Sequence, residues 1–425
     1  MLKIDKFLVS STELFLSVFV FYGMGLAFLK KTEAKFSRWI LHSGVALALI
    51  AGLIQYIIRL NNAKKMNLAL IKFNRQLILV IAAVAVLTFA FLILRLLFKK
   101  TDKRPYDYPV SALVALTLFF AFFYLSPIAY KMTGEFVYFG EDTLSTMSFL
   151  RAIGFVLGIL IGMVCLFLIV KVSEFLNKRQ VLFFLCLSSF VFAVDYLLRS
   201  VSAMQRMNLI PLSDLVFSIM IFGDRHGKFL IYGMLLVAFL MLAYVFLQNL
   251  KVSGSFENNA LFRKAKSYAR SARRYAGALL SVMVGAVLIL TVLHYYSTKE
   301  VELTPPQEYT LENGKIIIPL TDVDDGHLHR FSYKTENGYD VRFIAVKKLT
   351  GNAYGLGLDA CEICGVAGYY ERGDEVICKR CDVVMNKNTI GFKGGCNPIP
   401  FPYEIIDKKI IIDVQDLIRE EKRFK

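Results

Sequence analysis

The chain has 425 residues, 56% of them hydrophobic, and a mean hydropathy of +0.53, an apolar share well above that of an ordinary soluble domain. Its formal net charge is +16, but most of the basic residues lie in short gaps between apolar runs, where they determine membrane topology. The composition therefore predicts a membrane protein and argues against a nucleic-acid-binding protein.

Apolar stretches of about 20 residues, the length that crosses a bilayer as a helix, follow one another from residue 12 to residue 296. They predict eight spans, at residues 12–29, 39–58, 76–98, 109–130, 152–172, 181–198, 229–248 and 276–296. The first run has no small-residue cleavage site nearby, so we interpret it as an uncleaved span. Residues 209–223 are expected to be interfacial or re-entrant.

Lysine and arginine in the loops predict the orientation. The loops after odd-numbered spans hold 17 of them, and the N-terminal tail and the other loops hold 12 besides Arg59, which directly follows the second span. We therefore expect the odd loops to be cytoplasmic, and both termini to lie on the opposite side of the membrane.

Few charged residues fall within or close to the predicted spans. Asp195 is the deepest, and an ionisable residue at such depth is a candidate for a functional role. Three basic residues near span ends are expected to snorkel to the interface: Arg59, Arg95 and Lys171.

After residue 298 the apolar pattern stops, and residues 299–425 contain five of the seven cysteines. Short β-branched or aromatic runs alternate there with turn sequences such as ENG and TENG, which is typical of a β-rich domain. Only residues 414–424 have a helical pattern. We therefore expect a transmembrane helical domain at 1–298 and an extracytoplasmic, zinc-ribbon-like, cysteine-rich domain at 299–425.

Two CxxC pairs are the strongest chemical signal in the chain. Cys361 and Cys364 form the first pair, and Cys378 and Cys381 follow after thirteen residues. Each pair places two sulfurs on one tight turn, and two such turns supply four thiolates to one ion. Four thiolates suit zinc, a mononuclear iron or an iron–sulfur cluster, and fewer thiolates with Met385 suit copper(I).

Other interpretations of this region remain open. The four cysteines are also compatible with a zinc ribbon whose metal only stabilises the fold, or with a pair of disulfides. Cys396 fits neither, so it is a spare ligand, a redox-active thiol or an inert side chain. His327 and His329 could add ligands or hydrogen bonds to ligands, although an exposed strand edge is the plainer interpretation.

The C-terminal motifs DGHLHRFSYKTENGYDVRFIAVKK, LDACEICGVAGYYERGDEVICKRCDVVM and TIGFKGGCNPIP resemble the FtrD-like family of bacterial membrane iron–sulfur proteins, over residues 305–415. The resemblance implies a multi-pass protein of the bacterial inner membrane that takes part in high-affinity iron uptake by electron transfer, beside an iron permease and a periplasmic iron- or copper-binding protein. By the same resemblance, the ligands would be Cys361, Cys364, Cys378 and Cys381, with Cys396 as an additional cysteine. No predicted span contains the R-E-x-x-E motif of the permeases, which favours an accessory role.

The leading hypothesis is therefore an electron-transfer accessory of iron transport. An alternative is an extracytoplasmic iron or copper metallochaperone or sensor, with Cys396 and Met385 as exchange ligands. A third is a structural zinc domain on a membrane scaffold that recruits partners. No Ser/His/Asp or paired-carboxylate constellation predicts a hydrolase.

Overall fold

The structure is a computed structural model. It describes residues 4–32, 35–61, 64–97, 107–137, 145–252, 256–298, 302–349, 353–373, 375–380 and 383–425. The chain divides into two compact units, one made of the helices up to Thr298 and one of the described residues that follow. Each unit is described by itself.

The first unit consists of long apolar helices. They are α1 (Ile4–Lys31), α2 (Lys35–Asn61), α3 (Lys64–Leu97), α4 (Asp107–Gly134), α5 (Thr146–Ser173), α6 (Lys178–Arg206), α7 (Asp214–Gln248) and α8 (Asn259–Leu288), the last continued by a π-helical turn, Ile289–Leu293, and a short helix α9 (His294–Thr298). A 28-residue helix such as α1 is about 42 Å long, enough to cross a bilayer with every backbone group paired internally. The eight predicted spans are thereby confirmed. Residues 214–223, expected to be interfacial or re-entrant, form the beginning of α7.

Helix α1 lies at the centre of this unit. In its apolar window 72% of the residues are buried, against 28% for α2, so α1 packs on all sides whereas α2 presents much of its surface outward. Three glycines of α5, four residues apart, let α1 approach closely: Gly154, Gly158 and Gly162. A Cβ atom at Gly154 would lie 2.3 Å from the carbonyl oxygen of Ile4. This is the small-residue packing common between transmembrane helices.

A buried ion pair joins α3 to α4. The side chains of Arg95 and Asp107 are 4% and 5% exposed and contact each other directly, and Lys178 at the start of α6 lies 3.0 Å from the second Asp107 oxygen. The expectation that Arg95 snorkels to the interface was therefore wrong. Its charge is neutralised inside the bundle, because a carboxylate across the next loop meets it there.

The second unit contains three small antiparallel sheets in the described part of the chain. Its strands are β1 (Thr310–Glu312), β2 (Lys315–Pro319), β3 (His329–Lys334), β4 (Asp340–Lys347), β5 (Tyr354–Leu358), β6 (Tyr369–Arg372), β7 (Glu375–Cys378), β8 (Val384–Met385), β9 (Glu404–Ile406) and β10 (Lys409–Asp413), followed by helix α10 (Val414–Arg419). The sheet orders are β1-β2-β10-β9, β3-β4-β5 and β6-β7-β8. The predicted strand-rich C-terminal region is confirmed.

The central sheet separates two apolar clusters. Alternate residues of β4 point to opposite faces, as the two-residue period of a strand requires. Phe343 and Ala345 pack against the isoleucines of β2 and β10, whereas Ile344 and Val346 pack against the cysteines. One face of this sheet therefore packs against the cysteine region.

Candidate metal centre

Three cysteine sulfurs converge in the second unit. The sulfur atoms of Cys361, Cys364 and Cys378 all lie within 4.8 Å of one another, and the three residues are 3%, 6% and 1% exposed. Metal–sulfur bonds of about 2.3 Å in a tetrahedral cage put neighbouring sulfurs about 3.8 Å apart. The three thiols are thus close enough to share one metal ion after small shifts.

The first CxxC pair forms a closed turn. Cys361 and Gly365 exchange two backbone hydrogen bonds, of 3.1 and 3.0 Å, across the turn. Gly365 has a φ of +66°, a conformation that glycine adopts without strain. The backbone N–H of Cys364 donates to the Cys361 sulfur at 3.0 Å, a bond that favours the thiolate a metal requires.

Cys378, the first cysteine of the second pair, ends β7 and is followed by a turn at residues 379–380. The backbone N–H of Cys378 donates to the carbonyl oxygen of Val383 at 3.0 Å. The Arg380 side chain reaches across to donate to the carbonyl oxygen of Cys364 at 3.2 Å, which ties the second turn to the first. Cys381, predicted to be the fourth ligand, lies outside the described residues.

Tyr369, a residue that the sequence analysis missed, connects the cysteines. It is 1% exposed and pairs with Cys378 across β6 and β7. Its hydroxyl donates to the carbonyl oxygen of Cys396 at 2.6 Å and hydrogen-bonds with the Cys361 side chain. Burial, together with the nearby sulfurs of Cys361 and Cys378, raises the pKa of Tyr369 far above its ordinary value, so the hydroxyl keeps its proton and remains a donor.

A buried ion pair, formed by Arg330 and Asp359, lies next to the first CxxC turn. Asp359, two residues before Cys361, is fully buried and accepts hydrogen bonds from Arg330 Nε at 2.9 Å and the Tyr369 backbone N–H at 2.8 Å. The Arg330 guanidinium also donates to the Tyr369 carbonyl oxygen and, at 2.7 Å, to that of Thr304. Burial raises the pKa of Asp359, although the Arg330 charge opposes this effect. The pair fixes the backbone on both sides of the first turn.

Two other predicted ligands, Met385 and Cys396, belong to or pack against the apolar cluster that contains the three cysteines. Met385 is 6% exposed and belongs to the same apolar cluster as the cysteines, and the half-buried Cys396 packs against that cluster. Among the described cysteine, histidine and acidic residues, the group that converges within 4.8 Å contains Cys361, Cys364 and Cys378 and does not include Cys396.

The two histidines are held by carboxylates. Strand β3 begins only at His329, so His327 precedes the strand and the two imidazoles are not aligned on one strand face. His327 Nδ1 lies 3.2 Å from Glu371, and His329 contacts Asp325 at 2.7 Å and Gln307 at 3.0 Å through its two ring nitrogens. His329 is 6% exposed, so the exposed-edge interpretation was wrong for it. Neither histidine joins the converging cysteine group.

The donor set suits a thiolate-bound metal. Buried thiols within bonding reach of one point, with a backbone N–H directed at one sulfur, match the requirements of zinc, iron or an iron–sulfur cluster. Cys361, Cys364 and Cys378 would hold such a group. None of the six described cysteines forms a disulfide.

These features define a multi-pass membrane protein with a cysteine-rich, strand-rich C-terminal region in which three buried sulfurs converge. Residues 323–424 match the family model described as "Membrane iron-sulfur containing protein FtrD-like", which confirms the resemblance over this segment. No curated protein matches the chain, and no solved structure matches it.

Replacing Tyr369 by phenylalanine is expected to weaken metal binding by about 10–100-fold, because hydrogen bonds that orient ligands have effects of this size. Chelator competition with the purified full-length protein measures the change. The Tyr403→Phe variant is a matched control, since it also removes a hydrogen bond to a main-chain carbonyl, that of Tyr354 at 2.9 Å, but in the other apolar cluster. Equal affinities of the two variants would contradict the role of Tyr369.

The Glu371 carboxylate is expected to make the second unit sensitive to acid. Burial alone would raise its pKa, but the Leu328 backbone N–H and the 4%-exposed Lys387 ammonium, 3.0 Å away, outweigh burial and lower the pKa of Glu371. Its stabilisation is therefore complete above pH 4.5, the ordinary pKa, and is lost as pH falls below that value.

Limited proteolysis of the full-length protein at pH 7 and pH 4 tests this expectation. The Glu371→Gln variant should be less protected at pH 7 and should lose less protection on acidification than the unaltered protein. Acid also protonates the cysteine thiolates, but it does so in both proteins. Comparing their losses of protection on acidification therefore isolates the contribution of Glu371. Equal losses of protection would exclude Glu371 as the acid-sensitive group.

Proposed function

We propose that this protein is an electron-transfer accessory of bacterial iron uptake. The observation that carries the proposal is the convergence of three buried cysteine sulfurs within 4.8 Å, in the segment that matches an iron–sulfur family. An iron centre on these thiolates would supply one-electron chemistry, since its iron changes oxidation state while its ligands stay in place. The electrons would change the oxidation state of iron at a permease.

The proposed ligands are the four cysteines of the two CxxC pairs. Cys361, Cys364 and Cys378 supply three sulfurs from two linked turns, and we assign the fourth position to Cys381 because of its spacing from Cys378. Cys396 and Met385 are proposed to adjust the centre from its edge, since both pack in the apolar cluster around the sulfurs. For His327 and His329 we propose only a supporting role, because carboxylates already hold them.

We place the protein in the bacterial inner membrane, with residues 1–298 as the transmembrane domain and 299–425 as an extracytoplasmic domain. The excess of lysine and arginine in the odd-numbered loops, 17 against 12 besides Arg59, supports this orientation. An extracytoplasmic centre would face the proposed partners, an iron permease and a periplasmic iron- or copper-binding protein.

A potentiometric titration of the purified full-length protein tests electron transfer. Anaerobic visible and EPR spectra recorded at a series of potentials are expected to show one centre that is reduced and reoxidised reversibly. The Cys378→Ser variant should lack the transition, whereas Cys186→Ser, which alters a buried cysteine of the membrane unit, should retain it. A protein that binds stoichiometric metal but shows no transition would contradict the proposal.

Two other functions are each favoured by a particular observation. The closed Cys361–Gly365 turn, with the Cys378 sulfur beside it at the end of β7, favours a structural zinc site on a membrane scaffold. The burial of Met385 in the cysteine cluster favours a copper or iron metallochaperone, because thioethers bind copper(I). A tightly held colourless metal would support the zinc site, and reversible metal loading without electron transfer would support the metallochaperone.

A further inference from the structure

A cavity in the membrane unit is lined by basic side chains from three helices. It has a volume of about 340 Å³ and lies between α3, α4, α6 and α7. Its cationic lining residues are Arg75, Arg199, Arg206 and Lys228. Among the lining residues whose side chains the structure describes, Asp195 carries the one carboxylate, against four cations.

Only two of these four cations form an ion pair with a described carboxylate. Asp195 lies 2.8 Å from Arg199 Nε, and the Lys228 ammonium lies 3.0 Å from Glu13. Arg75 donates one hydrogen bond, of 2.8 Å, to the carbonyl oxygen of Arg206 at the end of α6. A guanidinium has five N–H donors, so Arg75 keeps most of them for another acceptor.

Among the side chains that the structure describes, no carboxylate pairs with Arg75 or with Arg206. Basic side chains at single helix ends commonly extend into water, and that explains an isolated arginine. Here the cations come from three helices and line one cavity, where a bound anion would reduce their mutual repulsion.

The wall formed by α7 leaves room for a ligand. Gly223 and Gly227 both line the cavity, and because they are four residues apart they lie on one face of the helix. A Cβ atom at Gly227 would meet no atom within 4 Å. Tyr124 and Ser202 add hydroxyl groups to the lining. The cavity thus combines open space, cations and neutral donors.

We propose that this cavity binds a phosphate-type anion. Guanidinium groups pair with phosphate oxygens through two parallel hydrogen bonds, and basic pockets between transmembrane helices bind lipid phosphates in this way. The anion is the phosphate of an anionic phospholipid or a soluble phosphate. Asp195, the deepest acidic residue of the predicted spans, positions Arg199 in this site through their ion pair.

Binding measurements on the purified full-length protein test the proposal. Native mass spectrometry measures retention of phosphatidylglycerol against phosphatidylcholine, and calorimetry measures binding of inorganic phosphate. The Arg75→Gln, Arg206→Gln double variant is expected to bind about tenfold more weakly for each guanidinium removed, the usual effect of a charge-assisted hydrogen bond. Gly227→Leu should weaken binding by filling the cavity while all the charges remain.

Two controls make equivalent changes elsewhere. Lys264→Gln with Arg270→Gln removes two exposed positive charges from α8, and Gly277→Leu adds a side chain at another glycine that has no atom within 4 Å. If the protein retains phosphatidylglycerol selectively, and if the cavity variants but not the controls lose this retention, the ligand is a lipid. If the protein instead binds inorganic phosphate but not phosphatidylglycerol selectively, with the same loss in the cavity variants, the ligand is a soluble phosphate. Equal binding by cavity variants and controls, or no preference for either anion, would overturn the proposal.

Discussion

Replacing Cys378 by serine is expected to abolish metal binding and to unfold much of the cysteine region. Cys378 ends β7, pairs with Tyr369 and supplies one of the three converging sulfurs, so its loss removes a ligand from the centre of the cluster. Bound metal contributes apparent folding free energies of about 10–16 kcal/mol in small thiolate-containing domains. Loss of this contribution should be the largest effect of any single substitution in the second unit.

Limited proteolysis of the full-length protein, with and without a chelator, measures this effect. The unaltered protein should lose protection between residues 355 and 400 when the metal is removed, and the Cys378→Ser variant should be unprotected under both conditions. The Cys186→Ser control should behave like the unaltered protein. Full protection of Cys378→Ser would show that the region folds without its metal.

Replacing Arg330 by methionine is expected to destabilise the second unit by about 3 kcal/mol at neutral pH, the lower end of the usual cost of breaking a buried ion pair, because Arg342 Nε remains 3.6 Å from the same Asp359 oxygen. Arg330 is 2% exposed and Asp359 is fully buried, so water cannot replace the guanidinium. The variant also loses the hydrogen bonds to Thr304 and Tyr369.

The pH dependence of this loss identifies its cause. Burial raises the pKa of Asp359, and without Arg330 the pKa should rise further, so the folded variant binds a proton that the unfolded chain releases above pH 3.8. The penalty should therefore grow as pH rises above that value and shrink as pH falls toward it. Hydrogen exchange of the β3 and β6 backbone amides at several pH values measures it. A pH-independent penalty would attribute the loss to packing alone.

The spans and the cysteine turns could be predicted because their signals are local. Uninterrupted apolar runs specify membrane helices, and CxxC spacing specifies a turn with two sulfurs. The spacing of Gly154, Gly158 and Gly162 is equally local, and glycines four residues apart indicate the close approach of another helix to α5.

Strand β5 could not be recognised from its sequence. Gly355 and Gly357 lower its strand propensity, yet the structure needs both, because a Cβ atom at Gly355 would lie 2.5 Å from the Ile390 carbonyl oxygen. The strand is stabilised by the segment that crosses it, through a 2.7 Å hydrogen bond from the Leu358 N–H to the Ile399 carbonyl oxygen. Such contacts between distant residues leave no periodic pattern in the sequence.

The same limit applies to the buried ion pairs and to Tyr369. Arg330 and Asp359 are 29 residues apart, and nothing in either position alone indicates a buried ion pair. Arg95 and Asp107 are only 12 residues apart, but they lie at the ends of two different predicted spans. The positions of the spans do not predict that their side chains meet. Tyr369 lies beside the cysteines only because β6 pairs with β7.

Metal analysis of the anaerobically purified full-length protein, combined with visible and EPR spectra, tests the central claim most directly. The account predicts stoichiometric iron with charge-transfer bands that reduction bleaches, and loss of both iron and bands in a Cys361→Ser, Cys378→Ser variant. Stoichiometric zinc with no visible bands, or iron retained at full occupancy by the variant, would contradict it.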